Sequence, residues 1–289
     1  MKQTIFNASL EESMNLVTDK YIKTSLEDFK EKGYGKKILG FFTVYFLMFL
    51  IVLLAFTYDE KNITLFFINI SFIEIIVFIL GFFVIAYYLN NVRKIKEQQI
   101  LSYYYFNQSM FFMSLLFIIQ LIVFCLASSD IVSSDFLLSL AYVVLYVLFI
   151  VKRVHQFRQK TFEVLYVRRQ HSNPLVNILN QFVSFSQKYA WLIIILLFFL
   201  RMFFPSEYMI RQNSMLNSVI DLFIPLVGLP FLLFSIALGT DNFQGYYLQK
   251  YLEDYRKLSG YSIEEWYGKD SQRYKESLKN EDYYFHFLK

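Results

Sequence analysis

Apolar positions in this chain come in long continuous blocks rather than in alternation with polar ones. Six such runs stand out: Ile38–Thr57, Thr64–Leu89, Met110–Ala127, Phe136–Val151, Tyr189–Phe204 and Val219–Leu238. Each is near the roughly 20 residues that a helix needs to cross a ~30 Å hydrocarbon layer. Thr64–Leu89 is long enough to tilt. Backbone in hydrocarbon has no water to bond, so the runs are expected as helices. Barrel strands would instead read as alternating segments of about 10 residues. The predicted class is all-α: a polytopic membrane protein with about six transmembrane helices across residues 37–238.

The flanking segments show a different period. Residues 9–32 read as an amphipathic helix, with Ser9 as N-cap, Glu12 as its capping-box partner, and Leu10, Met14, Val17, Tyr21 and Phe29 at helical spacing. Gly33–Tyr34–Gly35 is expected to break it before the first span. Residues 1–36 thus form an N-terminal segment that lies on the membrane, packs under the bundle or docks a partner. The tail, 239–289, repeats the theme. Phe243, Tyr247, Tyr251, Tyr255 and Leu258 share a helix face, Gly260 is the expected C-cap, and Ser262 opens a second capping box. Trp266 and Tyr267 follow as docking anchors, on the chain's own bundle or on a partner.

The connection 152–188 is basic at its start. Lys152, Arg153, Arg158, Lys160, Arg168 and Arg169 face one acid, Glu163, and the fourth span's helix can continue through them. Pro174 then starts an amphipathic stripe of Leu175, Ile178, Leu179, Phe182 and Val183. The two readings are a helical hairpin projecting beyond the membrane and an interfacial elbow that holds anionic lipid.

Charge fixes the expected orientation. Of 28 Lys and Arg, all but Lys61, Arg201 and Arg211 fall on one side if the termini share it. By the positive-inside rule that side is the cytoplasm of a cell membrane. The first 36 residues lack the apolar core of a cleavable signal, so the first span is expected to serve as its own insertion signal. The tail balances acids and bases, which excludes a nucleic-acid arm.

Composition adds little chemistry. The chain is 56% hydrophobic, above the ~45–50% of soluble domains, and its Ile, Phe, Tyr, Lys and Asn bias is that of AT-rich bacterial genomes. A single cysteine, Cys125, excludes an internal disulfide, and His155, His171 and His286 are too scattered for a metal centre. There is no G-x-x-x-x-G-K-[ST], H-E-x-x-H or G-x-S-x-G. Glu264–Glu265 resembles the Glu-Glu pair of intramembrane CAAX-type proteases, but it lies outside the spans with no matching His or Arg inside them. Neither an enzyme nor a cofactor is expected.

Polarity inside the spans is the remaining signal. Glu74 stands alone among charges between Lys61 and Arg93, where an acid is expensive and marks function by default. Counting from the inner ends, Glu74 lies about 24 Å along its span and Arg201 about 20 Å along its own, so the two are expected to pair. Asn69, Ser71 and Gln120 add weaker polarity, as interhelical glue or as lining of a path. Asp221 sits near the outer mouth beside Arg211. Pro225, Gly228 and Pro230 are expected to break or kink the last span.

Six spans, both termini inside and two basic connections, 90–109 and 152–188, resemble the membrane half of an ABC-type transporter in architecture. That resemblance implies a permease-like transport component whose two connections contact a separate ATPase. Two alternatives fit the same absence of catalytic motifs. One is a membrane immunity protein that binds a bacteriocin or secreted pore-forming toxin. The other is a sensor or scaffold signalling through the tail.

Overall fold

A computed structural model of the chain describes residues 3–59, 64–65, 67–167 and 222–287. It is mostly helical, at 86%. The helices are α1 (Leu10–Ser13), α2 (Asp19–Asp59), α3 (Ile70–Glu97), α4 (Ser102–Ser128), α5 (Asp130–Ser134), α6 (Phe136–Tyr166), α7 (Gly228–Lys250), α8 (Leu252–Ser259), α9 (Ile263–Tyr267) and α10 (Gln272–Phe287). Among the described residues four stretches are long and apolar enough to cross a membrane: Gly35–Thr57 within α2, α3, Gln99–Ser128 and α6. The expected span Tyr189–Phe204 lies outside the described residues, and the expected span Val219–Leu238 is described from Leu222 onward.

The second run departs from expectation at its start. Thr64–Leu65 and Ile68–Asn69 form a two-residue antiparallel hairpin, and α3 begins only at Ile70. Phe67, at a left-handed φ of 68°, makes the turn. Asn69 is therefore not a polar residue inside a span. Its side chain caps α3, accepting from the Ser71 backbone N–H at 3.2 Å and the Ser71 hydroxyl at 3.1 Å. The physical reason is local: a short amide satisfies first-turn N–H groups that otherwise lack partners.

Helix α4 is the hub, packed against α2, α3 and α7. It runs parallel to α2, with Lys37 beside Ser102 and Phe41 beside Phe106. It runs antiparallel to α7, with Ile122 beside Gly228 and Tyr104 beside Gly245. Gly245 makes that second approach feasible, because a Cβ there would stand 2.1 Å from the Tyr104 ring. Helix α3 crosses α2 through the stack of Tyr45 on Phe78, with ring centroids 4.2 Å apart. Helix α6 continues unbroken to Tyr166, so the basic start of the 152–188 connection is helical.

Gly33–Gly35, expected to break α2, lies inside it instead. The helix bends there. Asp28 and Lys37 form a buried ion pair at 2.5 Å, yet nine residues on a straight helix place two side chains about 13.5 Å apart along the axis, on opposite faces. Only a bent axis brings them together, and glycines are where helices bend. The Lys37 ammonium also donates to the Ser102 hydroxyl at 2.9 Å and lies 5.4 Å from the Phe106 ring centre.

The bend tucks the first half of α2 under the bundle, burying Tyr21, Ile22, Ser25 and Leu26. Ahead of it, the N-terminal segment lies over α7 and α8. Tyr247 donates to the Ile5 carbonyl at 2.7 Å, Tyr251 to the Ala8 carbonyl at 2.8 Å, and Ser13 and Tyr255 share a bond of 2.7 Å. Burial pushes the Tyr247 and Tyr255 hydroxyls up to about 12, which keeps them protonated at neutral pH. The Ser9–Glu12 and Ser262–Glu265 capping boxes both form, and Gly260 caps α8 at φ 70°.

Lys37→Met removes the ammonium from a buried carboxylate and is expected to cost about 3–5 kcal/mol. Asp28→Leu combined with Lys37→Met should recover most of that in detergent unfolding measurements, whereas additive losses would show that the two do not act as a pair.

A second expectation concerns acid. Bonds from Arg256, and then one from Tyr267, hold the Glu253 carboxyl below the usual glutamate range. A depressed folded pKa means the contact stabilises the tail above the unfolded value of about 4.3 and is lost as pH falls through the folded value. Amide exchange in α8 and α9 should therefore rise through that window in the wild type and stay flat in Glu253→Gln; equal acid sensitivity would reject the assignment.

Candidate intramembrane site

Glu74 sits one turn into α3 and is 0% exposed. Gln120, equally buried on α4, donates its Nε2 to the Glu74 backbone carbonyl at 3.1 Å. The two Glu74 carboxyl oxygens and the Gln120 Oε1 have no hydrogen-bond partner among the described residues. A carboxyl in such surroundings is costly to charge. Arg201, its expected partner, and Asp221 lie outside the described residues.

The proline-rich entry to α7 is irregular, as its sequence predicts. Ile224–Val227 form a 3-10 turn with Pro225 at its start, and α7 begins at Gly228, with Pro230 in its first turn. A ring without N–H breaks the helical ladder and leaves carbonyls to be satisfied elsewhere. Two tyrosines of α6 do this. Tyr142 donates to the Leu222 carbonyl at 2.5 Å, and Tyr146 donates to the Pro225 carbonyl. Gly228 is tightly held between α4 and α6: a Cβ would meet Ile122 at 2.6 Å and the Tyr146 hydroxyl at 2.8 Å. These tyrosines were not expected as site residues. Their signal is a one-turn Tyr-x-x-x-Tyr spacing on the span that faces the prolines.

A cavity of about 290 Å³ opens between α3, α4 and α6. Its walls include Ile73, Ile119, Ile122, Val143, Tyr146 and Val147. Ile73 and Ile119 precede Glu74 and Gln120 in the chain, and Tyr146 is the residue that holds the 3-10 turn. Tyr146 thus joins the helix break to the wall of this apolar space, while Glu74 and Gln120 lie on the same two helices, α3 and α4, without lining it. Such a space accepts apolar groups. Among the described residues there is no group of ligands that could hold a metal ion.

At the opposite end the candidate surfaces separate. Lys152, Arg158 and Lys160 are exposed on α6, while Arg153 is half-buried, its guanidinium 5.3 Å from the Phe149 ring centre. Arg168 and Arg169 lie outside the described residues. Trp266 and Tyr267 are buried by the chain itself. Gly268, at φ 90°, is packed so closely against Gln99 that a Cβ would stand 2.1 Å from its side chain. The tail thereby covers the α3–α4 turn, where Ile100 and Leu101 are fully buried, while Arg93, Lys94 and Lys96 stay exposed beside it.

Comparison with known proteins finds no relative: no family model, curated protein or solved structure matches the chain.

Tyr146→Phe takes the donor from a buried carbonyl and is expected to cost about 1–3 kcal/mol of stability in detergent. Tyr87→Phe, which removes a more exposed hydroxyl bonded to Gln108, should stay within about 0.5 kcal/mol. Equal effects would show that the α6 tyrosine does not support the turn.

Proposed function

We propose that this chain is a transport component of a bacterial cell membrane, a permease-like subunit that works with a separate ATPase or partner, with both termini in the cytoplasm. The observation that carries this reading is a buried acid, Glu74, held beside Gln120 in the same bundle as the Ile224–Val227 break. Transporters set broken helices and isolated ionisable groups at their working sites because these are where a bundle offers unsatisfied polarity and changes shape. The distribution of Lys and Arg supports the orientation. Coupling to a partner falls to the exposed Arg93, Lys94 and Lys96, since the chain's own tail occupies the α3–α4 turn beside them.

A second reading, membrane immunity against a bacteriocin or secreted pore-forming toxin, draws on the apolar walls of the cavity between α3, α4 and α6, which suit a hydrophobic peptide segment better than a hydrated solute.

Purification of the tagged full chain from native membranes in mild detergent separates the two. A stoichiometric subunit carrying a nucleotide-binding motif, lost on replacing Arg93, Lys94 and Lys96 by Gln, is the expected result. Recovery of the chain alone, together with protection of expressing cells against a co-encoded toxin, would reject transport in favour of immunity.

A further inference from the structure

We propose that the basic end of α6 is a binding site for the phosphate-bearing headgroups of anionic phospholipid, built on Lys152, His155 and Arg158 with Lys160 at its edge. The argument begins with one helix face. Residues four and seven apart share a face, so Leu148, Lys152 and His155 form one row, and Val151, His155 and Arg158 form another. Leu148 and Val151 are 64% and 60% exposed, more than the neighbouring apolar residues Val147 and Val154. Lys152, His155 and Arg158 are exposed directly beyond them. The surface that meets lipid chains therefore becomes cationic within one turn, without rotating away from the bilayer.

The distances agree with a bilayer. Asp135 caps α6 at its other end, accepting from Leu137 and Leu138. From Phe136 to Val154 the helix rises about 28 Å, close to the ~30 Å of the hydrocarbon layer. Lys152 lies about 24 Å and Arg158 about 33 Å along the helix from Phe136, so the row straddles the edge of that layer, within the reach of snorkelling side chains. On α6 itself no acid intervenes between Asp135 and Glu163. Arg153 does not compete for the same ligand, because its guanidinium is turned to the Phe149 ring and to Gln156, 3.1 Å away.

Orientation alone requires only that cations lie on the inner side. It does not require them on the face that continues the lipid-exposed stripe. The ligand chemistry that fits is a fixed array of phosphate charges in the leaflet, presented side-on to the helix. A soluble anion would gain nothing from the adjoining Leu148 and Val151.

The test uses the purified full chain in a neutral detergent, with short-chain phosphatidylglycerol, short-chain phosphatidylcholine or inorganic phosphate added at equal concentration. Phosphatidylglycerol is expected to bind and to raise the melting temperature, and phosphatidylcholine and phosphate to leave it unchanged. Lys152→Gln/Arg158→Gln/Lys160→Gln should weaken the phosphatidylglycerol affinity roughly 10-fold or more, while Lys152→Arg/Lys160→Arg retains it. Equal responses to the two lipids, a full response in the Gln variant or an equal response to phosphate would each overturn the proposal. Should the Gln variant fail to fold, the wild-type titration in rising salt decides: a phosphatidylglycerol affinity independent of ionic strength overturns it, and a steep fall supports it.

Discussion

A buried ion pair within one helix governs the shape of this molecule. Asp28 and Lys37 meet only because α2 bends, and α2 stays bent because the two meet. Removing two charges from water is expensive, and the mutual attraction of a buried pair repays that only with good geometry and further hydrogen bonds. Ser102 and the Phe106 ring supply those partners from α4. The pair thus also pins the start of the hub helix to the bend. With α2 folded back, its first half fills the space under the bundle, and the N-terminal segment comes to rest on α7 and α8. In this setting a buried pair does more to specify geometry than to raise stability.

The other end of the bundle answers a different constraint. There the demand is that every carbonyl in an apolar setting finds a donor. A regular helix meets it internally, and the 3-10 turn at Ile224–Val227 does not. The hydroxyls of Tyr142 and Tyr146 make up the difference, so the break is held from α6 rather than by its own ladder. Hydroxyls are weaker constraints than a covalent ring or a helical ladder, and each is supplied by one rotatable side chain.

How far the sequence foretells this depends on whether the signal is local. The apolar runs 38–57, 110–127 and 136–151, both capping boxes and the Gly260 cap are written in neighbouring residues, and these appear where their patterns stand. The Pro225 irregularity belongs with them, since a missing N–H acts on its own helix. What escaped is long-range or two-valued. Gly33 and Gly35 signal a break or a bend with equal force, and the choice rests on an ion pair nine residues long in sequence, a spacing that no helical pattern contains. Asn69 is polar glue or a cap according to where the helix starts, which the hairpin before it decides. The tail's burial of the α3–α4 turn needs Gly268 and Gln99 to meet across the fold. Glu74 is the instructive middle case. Its presence in a span is plain from composition, its contact with Gln120 is not, and Arg201 stands outside the described residues.

The bonds that close the polar end also carry a timing. The Ala8 amide and the Tyr247 hydroxyl are separated by 239 residues, and the Ser13 and Tyr255 hydroxyls by 242. At a synthesis rate of roughly 5–20 residues per second, the N-terminal segment waits on the order of 10–50 s for the partners it will lie against. Through that interval Ile100 and Leu101, which the finished tail covers, wait for it as well. The polar end is thus the last part of the molecule to be completed. A chain that stops short of Tyr247 exposes a different surface to the cell from one that is finished, which gives quality control a means of telling them apart.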